Sequence, residues 1–150
     1  MLLKYDNVEV EFDTEKTREF YSALDEYDCD CAGCRNYMKA TSDFPVEVAE
    51  FFEIMGMDVR KASEIIPWFA ENEGKAMNYG GFYHLYGRIV SGGECWKENG
   101  EVSMYEIADG YSIGFTEDIS MREDVLGEPA LQMEIFFKGI PWLLDETNPY

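Results

Sequence analysis

Residues 82–90 read FYHLYGRIV, a run rich in aromatic and β-branched side chains that predicts a β-strand. From Gly80 onward the spacing of apolar residues changes from helical to alternating, so this run marks the change of architecture along the chain. Downstream, Asn99-Gly100 and Asp109-Gly110 are the dipeptides that favour two-residue hairpin turns. The second predicts that 102–108 pairs with 111–117, with Ala108 opposite Tyr111 and Met104 opposite Phe115. ALQMEIFF, residues 130–137, supplies a further strand with Leu131, Met133, Ile135 and Phe137 on its inward face.

Upstream the pattern is mostly helical. After a short strand at 8–12, Thr17, Phe20, Tyr21, Leu24 and Tyr27 recur at three- and four-residue spacing and predict a helix over 14–27. In SDFPVEVAEFFEIMG (42–56), Ser42 and Asp43 are capping residues, Pro45 suits a first turn and Gly56 a C-terminal stop. Val48, Phe51, Phe52 and Met55 would form its buried stripe. A second helix is expected over 58–66, ending at Pro67. The tail, DETNPY, reads as frayed. The expectation is one α+β domain over 1–150: N-terminal helices packed on an antiparallel β meander, either a sheet or a partly closed barrel.

The composition restricts partners. The 150 residues are 46% hydrophobic and carry 31 acids against 12 bases, a net charge of −19. Such a surface repels phosphate backbones, which argues against nucleic acid and against an anionic membrane, and favours a basic protein as partner. No run approaches the 18 apolar residues of a membrane span, and the start is too short for a signal-peptide core. The expected setting is cytoplasmic and reducing, where clustered cysteines are metal ligands or catalysts more often than disulfides.

Such a cluster is present. YDCDCAGCRNY (27–37) holds Cys29, Cys31 and Cys34; the only other cysteine is Cys95 and the only histidine is His84. Zinc takes four sulfur or nitrogen ligands in a tetrahedron. The loop offers three, with Gly33 expected to permit the tight turn between Cys31 and Cys34. The fourth ligand is expected from His84, on the strand face of Phe82, Tyr86 and Val90, with Cys95 as the alternative. A closed shell of that kind is structural and not catalytic. Asp28 and Asp30 are expected to raise the thiol pKa values. Cys31 and Cys34 also have the C-x-x-C spacing of a redox pair, but without the βαβ context that such a pair usually has.

Other patterns carry less. Gly110-Tyr111-Ser112-Ile113-Gly114 has the letters of a nucleophile elbow, yet it starts in a hairpin turn and no histidine follows it. The acidic pairs Glu117-Asp118 and Glu123-Asp124 are expected in exposed loops, and Trp68 and Trp142 in the core. CDCAGCRNY, MGMDVRKASE, YGGFYHLYG and FFKGIPWLLDE together resemble a group of small bacterial proteins of unassigned activity. Those proteins share a C-x-C-x2-C-x-N loop, a Gly-aromatic-aromatic-His segment and a late Pro-Trp-Leu segment. The resemblance implies a bacterial cytoplasmic setting, favours His84 as fourth ligand and supplies no reaction. The sequence therefore reads as a non-enzymatic, acidic α+β protein with a structural zinc site, acting through protein contacts. The alternatives are an inhibitor-type protein masking a basic partner and a thiol redox enzyme using Cys31 and Cys34.

Overall fold

The computed structural model describes residues 1–121 and 126–150. Its frame is an antiparallel sheet of seven strands among those residues: β1 (Leu2–Tyr5), β2 (Val8–Phe12), β3 (Glu64–Glu71), β4 (Ala76–Ser91), β5 (Tyr105–Ala108), β6 (Tyr111–Thr116) and β7 (Ala130–Pro141). They lie in the order β1-β2-β4-β7-β6-β5, with β3 also paired to β4. The run that marked the change of architecture forms most of β4. That 16-residue strand pairs with β7 along one edge, and with β3 and then β2 along the other. The sheet is open, although Tyr5 of β1 stacks on Tyr105 of β5 with ring centroids 5.0 Å apart.

The described residues include three helices, α1 (Thr14–Ser22), α2 (Ala32–Ala40) and α3 (Val46–Met55). α1 lies along the β4 edge between β3 and β2, with Tyr21 donating to the His84 carbonyl and Thr17 accepting from the Tyr86 amide. α2 and α3 pack on one face of this sheet, where Tyr37 and Phe52 meet Tyr83. Strand alternation selects that face. Tyr79, Tyr83 and Leu85 of β4 and Leu131, Met133, Ile135 and Phe137 of β7 are all buried beneath the helices or within the core they form. Tyr37 of α2 makes the link to β4: its ring meets Tyr79 edge-on at 5.2 Å, and its hydroxyl lies 2.6 Å from that of Tyr83. Tyr83 in turn donates to the Val59 carbonyl at 2.7 Å. No helix among the described residues is long and apolar enough to cross a membrane.

Several expected elements differ in extent. The first helix stops at Ser22 because Tyr27 is drawn away: its N–H donates to the Arg60 carbonyl, and its hydroxyl to Glu64 Oε1 at 3.1 Å. The helix expected over 58–66 is instead a turn leading into β3. Ile65 and Ile66 favour the pleat, and Pro67 is tolerated because β3 is an edge strand. α3 forms as expected, closed by Gly56 at φ 82°, but Pro45 occupies the N-cap position while Ser42 and Asp43 belong to a preceding 3-10 turn. The hairpin at Asp109-Gly110 has Ala108 opposite Tyr111, after which a bulge shifts the register by one. Met104 therefore faces Gly114, where an added Cβ would lie 2.7 Å from its sulfur, and not Phe115. Asn99-Gly100 also turns the chain back on itself, through a single bridge between Trp96 and Val102.

Candidate metal centre

The cysteine stretch is not all loop. Cys31 is the N-cap of α2: its sulfur accepts from the Cys34 amide at 3.4 Å, so the C-x2-C unit is the first turn of a helix. Cys29 precedes it with its sulfur 3.4 Å from that of Cys31. The three sulfurs all lie within 4.8 Å of one another, graded from Cys31 at the surface to Cys34 in the interior. All four cysteines of the chain are free thiols.

Gly33 has a different role from the one its sequence position implied. An added Cβ would lie 2.5 Å from both Cβ and Cγ of Pro67, so the glycine allows the helix start to press against β3. Tyr79 holds the same turn by donating to the Gly33 carbonyl at 2.7 Å. Buried Asn36, one helical turn on, donates to the Tyr79 hydroxyl and to the Pro141 carbonyl and accepts from the Leu143 amide at 2.7 Å. That ties β7 and the tail to the site. The tail is not frayed. Arg35 forms a two-pronged pair with Glu146, Trp142 donates to the Glu146 carbonyl, and the Tyr150 hydroxyl meets the Gly33 amide.

The thiols differ in acidity. Burial opposes ionisation of Cys31, but hydrogen bonds from the Cys34 amide, from the Cys34 and Cys29 thiols and from the Tyr150 hydroxyl outweigh it and lower its pKa. Cys34 moves the other way: burial, together with the neighbouring sulfurs of Cys31 and Cys29, holds it protonated well above the ordinary thiol range. For Cys31 the flanking aspartates are not among the causes of the shift: burial raises it, and the donors around its sulfur lower it.

Neither expected fourth ligand joins the group of three sulfurs. Tyr83 points at α2, so its neighbour His84 points to the opposite face of the sheet, as strand alternation requires. There its ring stacks on Phe82 at 5.6 Å, with Nδ1 3.1 Å from Ser63 Oγ and Nε2 3.0 Å from Gln132 Oε1. Cys95 is buried behind the β5–β6 hairpin, where its amide donates to the Phe115 carbonyl. Burial first, then Glu134 and Glu94, push its thiol up to about 12. What residue patterns missed are the side chains that hold this turn in place: Tyr27 beside the Cys34 sulfur, Tyr79 and Tyr150 on the Gly33 backbone, and Asn36 on the Tyr79 hydroxyl. Only Asn36, inside the helical turn after Cys34, carried any local signal.

The remaining motifs are accounted for by the sheet. Ser112 lies within β6 opposite Phe136. Glu117 accepts from the Ile89 amide while its own amide donates to Glu94; Glu123-Asp124 lies outside the described residues. Trp142 is half-buried against the core, whereas Trp68 is exposed on the far face of β3. Fold and thiols together define an α+β protein with a three-cysteine candidate metal centre at a helix start. Comparison with protein-family models, with curated proteins and with solved structures finds no match.

Proposed function

We propose that Cys29, Cys31 and Cys34 bind a zinc ion that clamps the segment ahead of α2, and that the protein is a non-enzymatic one working through contacts with other proteins. The observation that carries this reading is the convergence of the three sulfurs within 4.8 Å. Zinc–sulfur bonds of about 2.3 Å place tetrahedral sulfurs about 3.8 Å apart, so only small side-chain rotations are needed. The three thiols fit a soft or borderline ion. With His84 and Cys95 elsewhere, the fourth position falls to a ligand from outside this group. A reducing, cytoplasmic setting follows from the same chemistry, and the net charge of −19 favours a basic protein partner over nucleic acid.

The test is elemental analysis of untagged protein with and without Cys31→Ser. One zinc per chain in the wild type, lost in the variant, is expected. Metal-free wild-type protein whose melting is indifferent to added zinc would overturn the reading.

A second reading is favoured by one observation: Cys31 caps a helix, with a lowered pKa, while Cys34 three residues on is buried and protonated. That asymmetry suits thiol–disulfide exchange. Cys31 thiolate would attack a substrate disulfide and release one substrate thiolate. Cys34, on losing its proton, would then displace the second, leaving a Cys31–Cys34 disulfide and a substrate reduced by two electrons, to be reset by a dithiol reductant. A single Cys31–Cys34 disulfide on mild oxidation of metal-free protein, in a protein that purifies without zinc, would favour exchange over metal binding.

A further inference from the structure

The face of the sheet turned away from the helices carries a second site, separate from the thiols. β3 divides the two: Pro67 meets Gly33 on one side, while Ile66 and Trp68 line a cavity of about 470 Å3 on the other. Phe82, Trp96, Glu134 and Phe136 complete its main walls. This volume falls in the range of small-molecule sites. Its wall is built closely: an added Cβ at Gly80 would lie 2.9 Å from the Trp68 indole, and Trp68 meets Phe136 edge-on at 4.6 Å. Yet Trp68 and Trp96 remain 44% and 52% exposed, an unusual cost for two large aromatic side chains flanking one opening.

The polar content of this cavity is concentrated and ordered. Glu134 Oε1 accepts from Trp96 Nε1 at 3.2 Å and from Gln132 Nε2 at 2.9 Å. Buried Gln132 is held in turn, its Oε1 accepting from the Ser120 amide at 2.8 Å and lying 3.0 Å from His84 Nε2. His84, expected to bind metal, thus stands behind the carboxylate as part of its support. The second oxygen of Glu134 takes no partner among the described residues. Lys138 lies over the Phe136 ring at 5.1 Å and forms no ion pair with Glu134. Among the described residues this half-buried carboxylate, set among aromatic rings, has no cation partner.

We propose that this cavity binds a small protonated primary or secondary amine carried on a flat apolar body. The ammonium donates to Glu134 Oε2, and the body lies among Trp68, Trp96 and Phe136, whose ring faces attract the positive charge. The strongly acidic surface raises the local concentration of such cations.

The test titrates the full chain with 4-phenylbutylamine, 4-phenylbutan-1-ol and 4-phenylbutyrate at physiological ionic strength, where diffuse attraction is screened. Tryptophan emission and calorimetry report binding. The amine is expected to bind about tenfold more tightly than the alcohol, and the carboxylate not at all. Glu134→Gln keeps an acceptor for Trp96 and Gln132, and should reduce the preference for the amine to within about twofold. Trp68→Ala, at an exposed ring, should weaken amine and alcohol alike. Equal affinity for amine and alcohol, failure of all three to saturate at millimolar concentration, or an amine preference that survives in Glu134→Gln would overturn the proposal. The wild-type comparison decides it even if Glu134→Gln does not fold.

Discussion

The Tyr150 hydroxyl lies 3.2 Å from the amide of Gly33, 117 positions earlier, so the tail folds back over the start of the helix that Cys31 caps. The turn that carries the thiols is therefore braced by three other parts of the chain: β3 through Pro67, β4 through Tyr79 and the tail through Tyr150. Loading the site with metal should consequently stabilise the whole fold.

An ion held at about a thousand times its dissociation constant adds about 4 kcal/mol. For a domain of this size that is roughly 10 °C in Tm. Calorimetric melting with zinc, then with excess chelator, should show a loss of this order. Cys31→Ser should melt near the chelated value and stop responding to zinc.

Asn36→Ala should be more damaging than its small size implies. It removes two donated bonds and one accepted bond, and strands the Leu143 amide and Pro141 carbonyl in a partly buried setting. A cost of about 3 kcal/mol is expected. Urea denaturation measures it, and a loss under about 1 kcal/mol would mean that water replaces these bonds.

Gly33→Ala tests helix propensity against packing. In an exposed helix the change would stabilise by up to about 1 kcal/mol. Here the new methyl would stand 2.5 Å from two carbons of the Pro67 ring. Overpacking should win, with a net loss of about 1–3 kcal/mol and weaker zinc retention. A rise in Tm would show that α2 can shift away from β3.

The Arg35–Glu146 pair sets a pH dependence. Hydrogen bonding to Arg35 lowers the Glu146 pKa against some opposing desolvation. A carboxylate depressed in the folded state stabilises fully above its unfolded pKa and loses that contribution as pH falls through the lowered folded value. Glu146→Gln should therefore lower Tm slightly at neutral pH and have no effect once the wild-type carboxyl is protonated. Both partners are well exposed, so the difference is small and should shrink with salt. A Tm difference unchanged between neutral and strongly acidic pH would remove the pair from this account.

Some of this molecule was legible in its residues because the signals are local. Alternation over 82–90 and 130–137 is a property of the pleat, a glycine closes α3 at positive φ, and Asp109-Gly110 makes its turn whatever surrounds it. The crowding of Cys29, Cys31 and Cys34 is likewise local, since only five positions separate the first from the last and Cys31 and Cys34 share the first turn of α2. Other features depended on distant partners. The 58–66 segment has helical spacing but becomes turn and strand, because β4 offers an edge with Gly80 and Gly81, where Ile66 and Ile65 can pair. Which face His84 takes follows from Tyr83 being claimed by α2, a choice that no pattern near His84 reveals. The sequence by itself determined strands, turns and a thiol cluster, through short-range sterics and spacing. Only the tertiary structure decided that the tail seals that cluster, that His84 supports Glu134 on the other face, and that Trp68 lines a cavity. Those outcomes rest on close packing and buried hydrogen bonds between residues far apart in the chain.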